Sequence, residues 1–273
     1  MTLTVTTRTL AVPGARLYHE VRGDGPLVVL VGAPMDARSF EPLADLLATD
    51  HTVLTADPRG INRSPLDDPA SGSTPEQRAD DLARLITELD AGPATVFGSS
   101  GGAVSVLALA QHYPDLVRTV IAHEPPLENL LADRDDLHRR SDDLMATYLR
   151  GDVVGAWRKF FGAANIDAPD ELLEAMFGGD RDPQVVADER FWFEYEMRAS
   201  IRWQPDVSAL RDGPVDLVVG IGTDSAGQLC DRTSRALAAG LGVEPALFPG
   251  DHTGFAEDPE PFAARLRAVL ADS

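Results

Sequence analysis

The chain predicts an α/β fold: a mostly parallel sheet with helices on both faces, interrupted late by a purely helical segment. Three observations carry this. Short runs of β-branched and apolar residues, such as 27–31, 52–56 and 117–122, alternate with amphipathic helical stretches, as in strands buried on both faces under crossover helices. The turn Gly98-Ser99-Ser100-Gly101-Gly102 joins a strand-like run, 94–97, to an apolar helical run, 103–111. Between Pro125 and Pro205 strand signals stop and aromatic residues concentrate.

Taken in order, residues 4–12 and 16–22 read as paired strands, and Gly23-Asp24-Gly25-Pro26 turns the chain into the buried strand 27–31. A helix over 40–48 and a strand over 52–56 follow. Thr74-Pro75-Glu76-Gln77 is a capping box with proline at the first helical position, and it opens a helix over 75–89. Strand 94–97, the apolar helix and strand 117–122 complete the first alternation. Charged helical stretches such as 133–150 occupy the middle segment. The alternation then resumes with strand 215–220, helix 229–239, strand 244–248 and helix 259–270, the last opened by Asp258 and Pro259. The organisation expected is a core of residues 1–124 and 206–273 with a helical insertion, 125–205, between two sheet strands.

Composition narrows the function classes. With 24 basic against 44 acidic residues among 273, the net charge of -20 repels nucleic-acid phosphates and anionic lipid surfaces, so nucleic acid and membrane are not expected as partners. Cys230 is the only cysteine, which excludes an internal disulfide and a cysteine-based zinc site; it reads as a small packing residue. No histidine pair has metal-ligand spacing, so no metal is expected. The N-terminus lacks the basic start and apolar block of a signal peptide, and the longest apolar runs, 27–31 and 104–110, are too short to span a bilayer. The expectation is a soluble cytoplasmic chain.

Ser100 is the candidate nucleophile. A serine hydroxyl attacks only if a base takes its proton and donors stabilise the oxyanion it creates. A sharp strand-to-helix turn lifts the side chain clear of the sheet and aims the helix N-terminus at the reacting oxygen, while Gly98 and Gly102 let the chain fold back on itself. A Ser-Gly turn alone is often only a turn, so the partners decide.

With these residues the chain resembles the α/β-hydrolase superfamily in its serine-nucleophile branch, over nearly its whole length. The family order of nucleophile, acid and histidine is matched by Ser100, Asp224 and His252: Asp224 follows the strand ending near Gly220, and His252 lies in Pro249-Gly250-Asp251-His252-Thr253-Gly254-Phe255 after the last strand. A second carboxylate, Glu124 in Ala122-His123-Glu124-Pro125-Pro126, stands where some family members carry their acid; the usual placement favours Asp224. The resemblance implies that the backbone N–H groups of Ala33 and Gly101 form the oxyanion hole. Val31 stands where the family often has a histidine, which deprives that loop of a polar anchor, and Pro34 has no N–H to offer. The turn from Asp57 to Ser64 resembles a structural turn of the family. Segment 125–205 takes the place of the family's cap, where Trp157, Trp192 and Trp203 are candidates to line an apolar pocket.

The chain is therefore expected to be a serine hydrolase that cleaves an ester, thioester or lactone of a mostly apolar small molecule through an acyl-enzyme, without a cofactor. The same triad used for acyl transfer, cyclisation or cofactor-free oxidation is one alternative; a binding scaffold of this fold without turnover is the other. Serine at the elbow argues against dehalogenase or epoxide hydrolase chemistry.

Overall fold

A computed structural model describes residues 4–271; Met1, Thr2, Leu3, Asp272 and Ser273, at the two ends of the expected core segments, lie outside the described residues. Eight strands form one sheet: β1 (Val5–Val12), β2 (Ala15–Arg22), β3 (Leu27–Val31), β4 (Thr52–Ala56), β5 (Ala94–Ser99), β6 (Val117–His123), β7 (Asp216–Gly222) and β8 (Ala246–Phe248). Their order across the sheet is β1-β2-β4-β3-β5-β6-β7-β8. The first two pairings, β1 with β2 and β2 with β4, are antiparallel, and every later one is parallel. The mostly parallel sheet is therefore as the alternation predicts.

The central strands show why a run without polar alternation still makes a strand. Leu27, Val29 and Val31 of β3 enter one hydrophobic core, while Val28 and Leu30 enter the other. In β5 and β6, Val96, Val120 and Ala122 likewise face the first core and Phe97 and Ile121 the second. Successive side chains point to opposite faces, so burial on both sides requires an apolar residue at every position. Each such buried Val, Leu, Ile or Phe side chain contributes roughly 1.5–3 kcal/mol.

Helices α1 (Glu41–Leu47), α2 (Pro75–Leu89) and α3 (Gly101–His112) cover the first part of the sheet. The capping box of α2 forms as read: the Gln77 N–H donates to Thr74 Oγ1 at 3.2 Å, and the Thr74 N–H donates to Gln77 Oε1 at 2.9 Å. Every residue of α3 from Gly101 to Ala110 is buried, which explains an apolar run with no polar face.

Between β6 and β7 the described residues are helical, without a strand: α4 (Arg134–Leu149), α5 (Val153–Ala164), α6 (Asp170–Phe177), α7 (Pro183–Phe191), a π-helical turn over Trp192–Glu196, and α8 (Met197–Ile201). This insertion has its own small core, in which Leu144, Tyr148, Phe193 and Met197 pack together. Helix α9 (Val207–Asp212) leads back to the sheet, followed by α10 (Leu229–Leu241), α11 (Gly254–Glu257) and α12 (Pro259–Ala271). No helix among the described residues is long and apolar enough to cross a membrane.

Candidate active site

The elbow forms where β5 runs into α3. Ser100 has φ 58° and ψ -125°, a left-handed backbone that a residue with a Cβ adopts only when its surroundings impose it. The surroundings here do so. A Cβ on Gly98 would meet the Gly102 carbonyl oxygen at 2.4 Å, and one on Gly102 would meet that of Val31 at 2.5 Å, so only glycines let α3 start this close to β3 and β5. The Ser100 N–H donates to the His123 carbonyl at 3.0 Å, tying the turn to β6.

Glu124 follows β6 with φ 52°, also left-handed. Its carboxylate is fully buried: Oε1 accepts the Gly222 N–H at 2.8 Å, and Oε2 lies 2.6 Å from His252 Nδ1. Burial disfavours the charge, but the hydrogen bond and the positive field of His252 outweigh it and hold the carboxyl at about 2. Burial likewise opposes a charged His252, yet the adjoining Cys230 sulfur and the Glu124 carboxylate overcome it and raise the imidazole above its ordinary value. With Nδ1 held by Glu124, Nε2 is the nitrogen left to serve a substrate or a nucleophile.

The expectation that Asp224 partners His252 is corrected. Strand β7 runs on to Gly222, so Asp224 sits beyond the turn, exposed, with its carboxylate 3.5 Å from the Thr223 hydroxyl. Its backbone is structural instead, because the N–H groups of Thr223 and Asp224 donate to the Phe248 and Gly250 carbonyls at 2.9 and 3.0 Å, fastening the histidine loop to β7. Glu124, one strand over, turns inward from its left-handed position and reaches the imidazole.

His123 invites attention at the same sheet edge, but it is packed away. Burial lowers it to about 4, Ser99 Oγ lies 3.0 Å from its Nδ1, and Phe97, Phe248 and Phe262 surround the ring.

Ser100, His252, Gly101 and Ala33 all line one cavity, of ≈ 100 Å³. The loop carrying Ala33 does have a polar anchor, though not from Val31: Asp57 Oδ1 accepts the Ala37 N–H at 3.0 Å, and Asn62 Nδ2 donates to Asp36 Oδ2 at 2.9 Å. The Asp57–Ser64 turn is thus the buttress of this loop. Gly101 is braced from behind. Ser105 Oγ donates to its carbonyl at 3.0 Å, the buried Arg78 donates through Nε to Ser105 Oγ at 2.7 Å, and Arg78 Nη2 donates to Ser200 Oγ of α8 at 2.8 Å. The nucleophile helix and the insertion are linked through one guanidinium.

Of the three tryptophans expected at a pocket, Trp192 lines the cavity and the other two do not. Trp203 is buried in the main core, its Nε1 donating to Glu76 Oε1 of α2 at 2.7 Å. Trp157 stacks between Phe177 and Trp192 at centroid distances of 4.3 and 5.4 Å and donates to Glu189 at 2.7 Å, which makes it a packing residue of the insertion.

Cys230, expected to be mere packing, lines the cavity beside His252. Its sulfur and ligand atoms of Glu124 and His252 lie within 4.8 Å of one another, a group that could converge on a metal ion. His252 Nδ1 and Glu124 Oε2 are, however, committed to each other. Glu128 and Ser141 also line the cavity and escaped the sequence reading, because neither belongs to a recognisable motif.

An eight-stranded sheet of this order, with a serine at the strand-to-helix elbow sharing a cavity with a histidine that a buried carboxylate holds from behind, defines a class of fold. A family model described as the alpha/beta hydrolase family matches residues 27–265, and the chain belongs to this family. It is 32% identical over 275 residues to the uncharacterized hydrolase YraK of Bacillus subtilis (strain 168), covering 98% of this chain and 97% of that protein. It is also 28% identical over 271 residues to the zearalenone hydrolase of Bionectria ochroleuca, covering 94% of this chain and 95% of that protein. The crystal structure of E-2-(acetamidomethylene)succinate hydrolase superposes with a TM-score of 0.67 at 23% identity, over 98% of this chain and 100% of that one, a likeness of fold. The chain is a hydrolase of the α/β fold.

Proposed function

We propose that this hydrolase cleaves an ester, thioester or lactone of a mostly apolar small molecule, with Ser100 as nucleophile, His252 as general base and Glu124 as the acid that orients it. The observation that carries the reading is the 2.6 Å contact between buried Glu124 and Nδ1 of His252, an imidazole that lines the same cavity as a strained elbow serine. Neutral His252 takes the Ser100 proton through Nε2 as Oγ bonds to the substrate carbonyl carbon. The resulting oxyanion is held by the Gly101 and Ala33 N–H groups. His252 then returns the proton to the leaving alcohol, lactone oxygen or thiol as that bond breaks, leaving an acyl-Ser100. A water, deprotonated by the same imidazole, releases the acid and restores the serine.

Residues 125–205 act in this reading as a cap over a core of residues 1–124 and 206–273. Support comes from the cavity itself, whose wall includes Phe160, Trp192 and Met197 of the insertion opposite Ser100 and His252 of the core. No cofactor takes part in these steps.

A fluorophosphonate tests the reading directly. Peptide mapping should find the adduct on Ser100, and Ser100→Ala should lower kcat on simple esters, with zearalenone included in the panel, by on the order of 10⁴ to 10⁶. Labelling confined to Ser99, or turnover that survives Ser100→Ala, sinks it.

A further inference from the structure

Among the described residues, Glu128 is the single acidic group in the wall of the cavity. We propose that Glu128, with Ser141, forms a subsite for an alcohol or phenol hydroxyl carried by the non-reacting part of the substrate. This rests on the serine hydrolase reading and adds a substrate class to it: a hydroxylated, otherwise apolar acyl or alkoxy group.

Glu128 lies four residues after Glu124, in the short turn that leads from β6 into the insertion, and Ser141 faces it from α4. Both line the cavity and both are almost wholly buried, at 3% and 2% exposure. Ser141 Oγ donates to Glu128 Oε1 at 3.0 Å, which uses one carboxyl oxygen. Among the described residues Oε2 has no hydrogen-bond partner; His138 Nε2 stands 3.7 Å away, too far to bond and itself unpartnered, in a ring that burial holds below its ordinary pKa and so towards the neutral form. Around them the cavity is apolar, with Leu144, Phe160, Trp192 and Met197.

A buried carboxyl oxygen without a donor is costly, and a bound group that donates to it removes that cost. Charge chemistry selects the donor. Burial pushes Glu128 up to about 7, with Ser141 and Arg202 pulling the other way, so near neutrality the group exchanges between acid and carboxylate. A hydroxyl suits both forms, since it donates to the carboxylate and either accepts from or donates to the acid. An anionic substituent would meet repulsion from the ionised form. An ammonium would lose its hydration among apolar walls beside Arg202, whose positive field already reaches Glu128.

The test is a ratio. Nitrophenyl alkanoates and their ω-hydroxy counterparts of matched length, over a series of lengths, should differ in kcat/KM by about tenfold in favour of the hydroxy ester at the length that reaches Glu128. Glu128→Leu should bring that ratio to about one, and Ser141→Ala and Glu128→Gln should lower it in part, which covers the case of a Leu variant that fails to fold. A ratio of one at every length in the parent, a preference that survives Glu128→Leu, or a stronger preference for ω-amino esters overturns the proposal. If the parent turns over no ester and Ser100 resists labelling, the hydrolytic reading has failed instead. Matched ω-hydroxy and unsubstituted methyl ketones, which do not hydrolyse, then still read the subsite through tryptophan fluorescence: a hydroxy preference lost in Glu128→Leu upholds it, and equal binding overturns it.

Discussion

Replacing Glu124 by Gln is the sharpest perturbation of the proposed triad, because the side chain keeps its shape and one of its two bonds. Its carbonyl oxygen can still accept the Gly222 N–H that Oε1 accepts at 2.8 Å, so the turn after β6 has no reason to move. What changes lies 2.6 Å from His252 Nδ1, where an amide N–H₂ replaces the carboxylate oxygen. Nδ1 must then accept, its proton moves to Nε2, and the nitrogen that should take the Ser100 proton already carries one. The imidazolium also loses the buried anion that balances it. Together these effects should lower kcat by about 10³- to 10⁴-fold, or roughly 4–5.5 kcal/mol of transition-state stabilisation. Asp224→Asn, on an exposed side chain whose backbone alone holds the histidine loop, should change kcat by no more than about twofold. Burst and steady-state hydrolysis of a nitrophenyl ester measures both, with thermal melting to confirm folded protein. Equal losses in the two variants, or the larger loss in Asp224→Asn, would refute the assignment.

The same geometry sets the pH dependence and the roles of the tryptophans. Because His252 must be neutral to act and its pKa lies above the ordinary value of 6.5, the acid limb of kcat/KM should lie above pH 6.5, with activity rising as pH rises through it. Cys230→Ala removes a group that holds the proton on the imidazole, so the limb should move to lower pH by on the order of one unit; a static limb, or an upward shift, counts against a thiol beside the base. In the insertion, Trp192→Ala should change the relative kcat/KM of short and long acyl esters by about tenfold, ~1.4 kcal/mol. Trp203→Ala, which empties a core site and frees Glu76, should instead lower stability by about 3–5 kcal/mol and leave that ratio within about twofold, as denaturant melts and paired-substrate assays would show. A ratio that moves with Trp203 and not with Trp192 would reverse the two roles.

Much of the fold is legible in the chain because its signals are local. Residues 27–31 and 52–56 are strands at the bounds their apolar runs mark, and helix 75–89 starts at its capping box, since neighbours in sequence settle those choices. The elbow is local as well: the glycines that permit its close approach lie two residues either side of Ser100. The interval without strands, 125–205, is visible for the same reason. The partner of His252 is not local. Two acids stand at neighbouring strand ends, and a β7 that ends two residues later than its apolar run marks, with a left-handed backbone at Glu124, decides which carboxylate turns inward. The tryptophans show the same limit, because helical spacing puts a ring on a face without saying what that face meets: core for Trp203, other rings for Trp157, the cavity for Trp192. Cys230, Glu128 and Ser141 reach the site only because α10, the turn after β6 and α4 converge there. Segments distant in sequence meet by packing, and that is information no window of the chain contains.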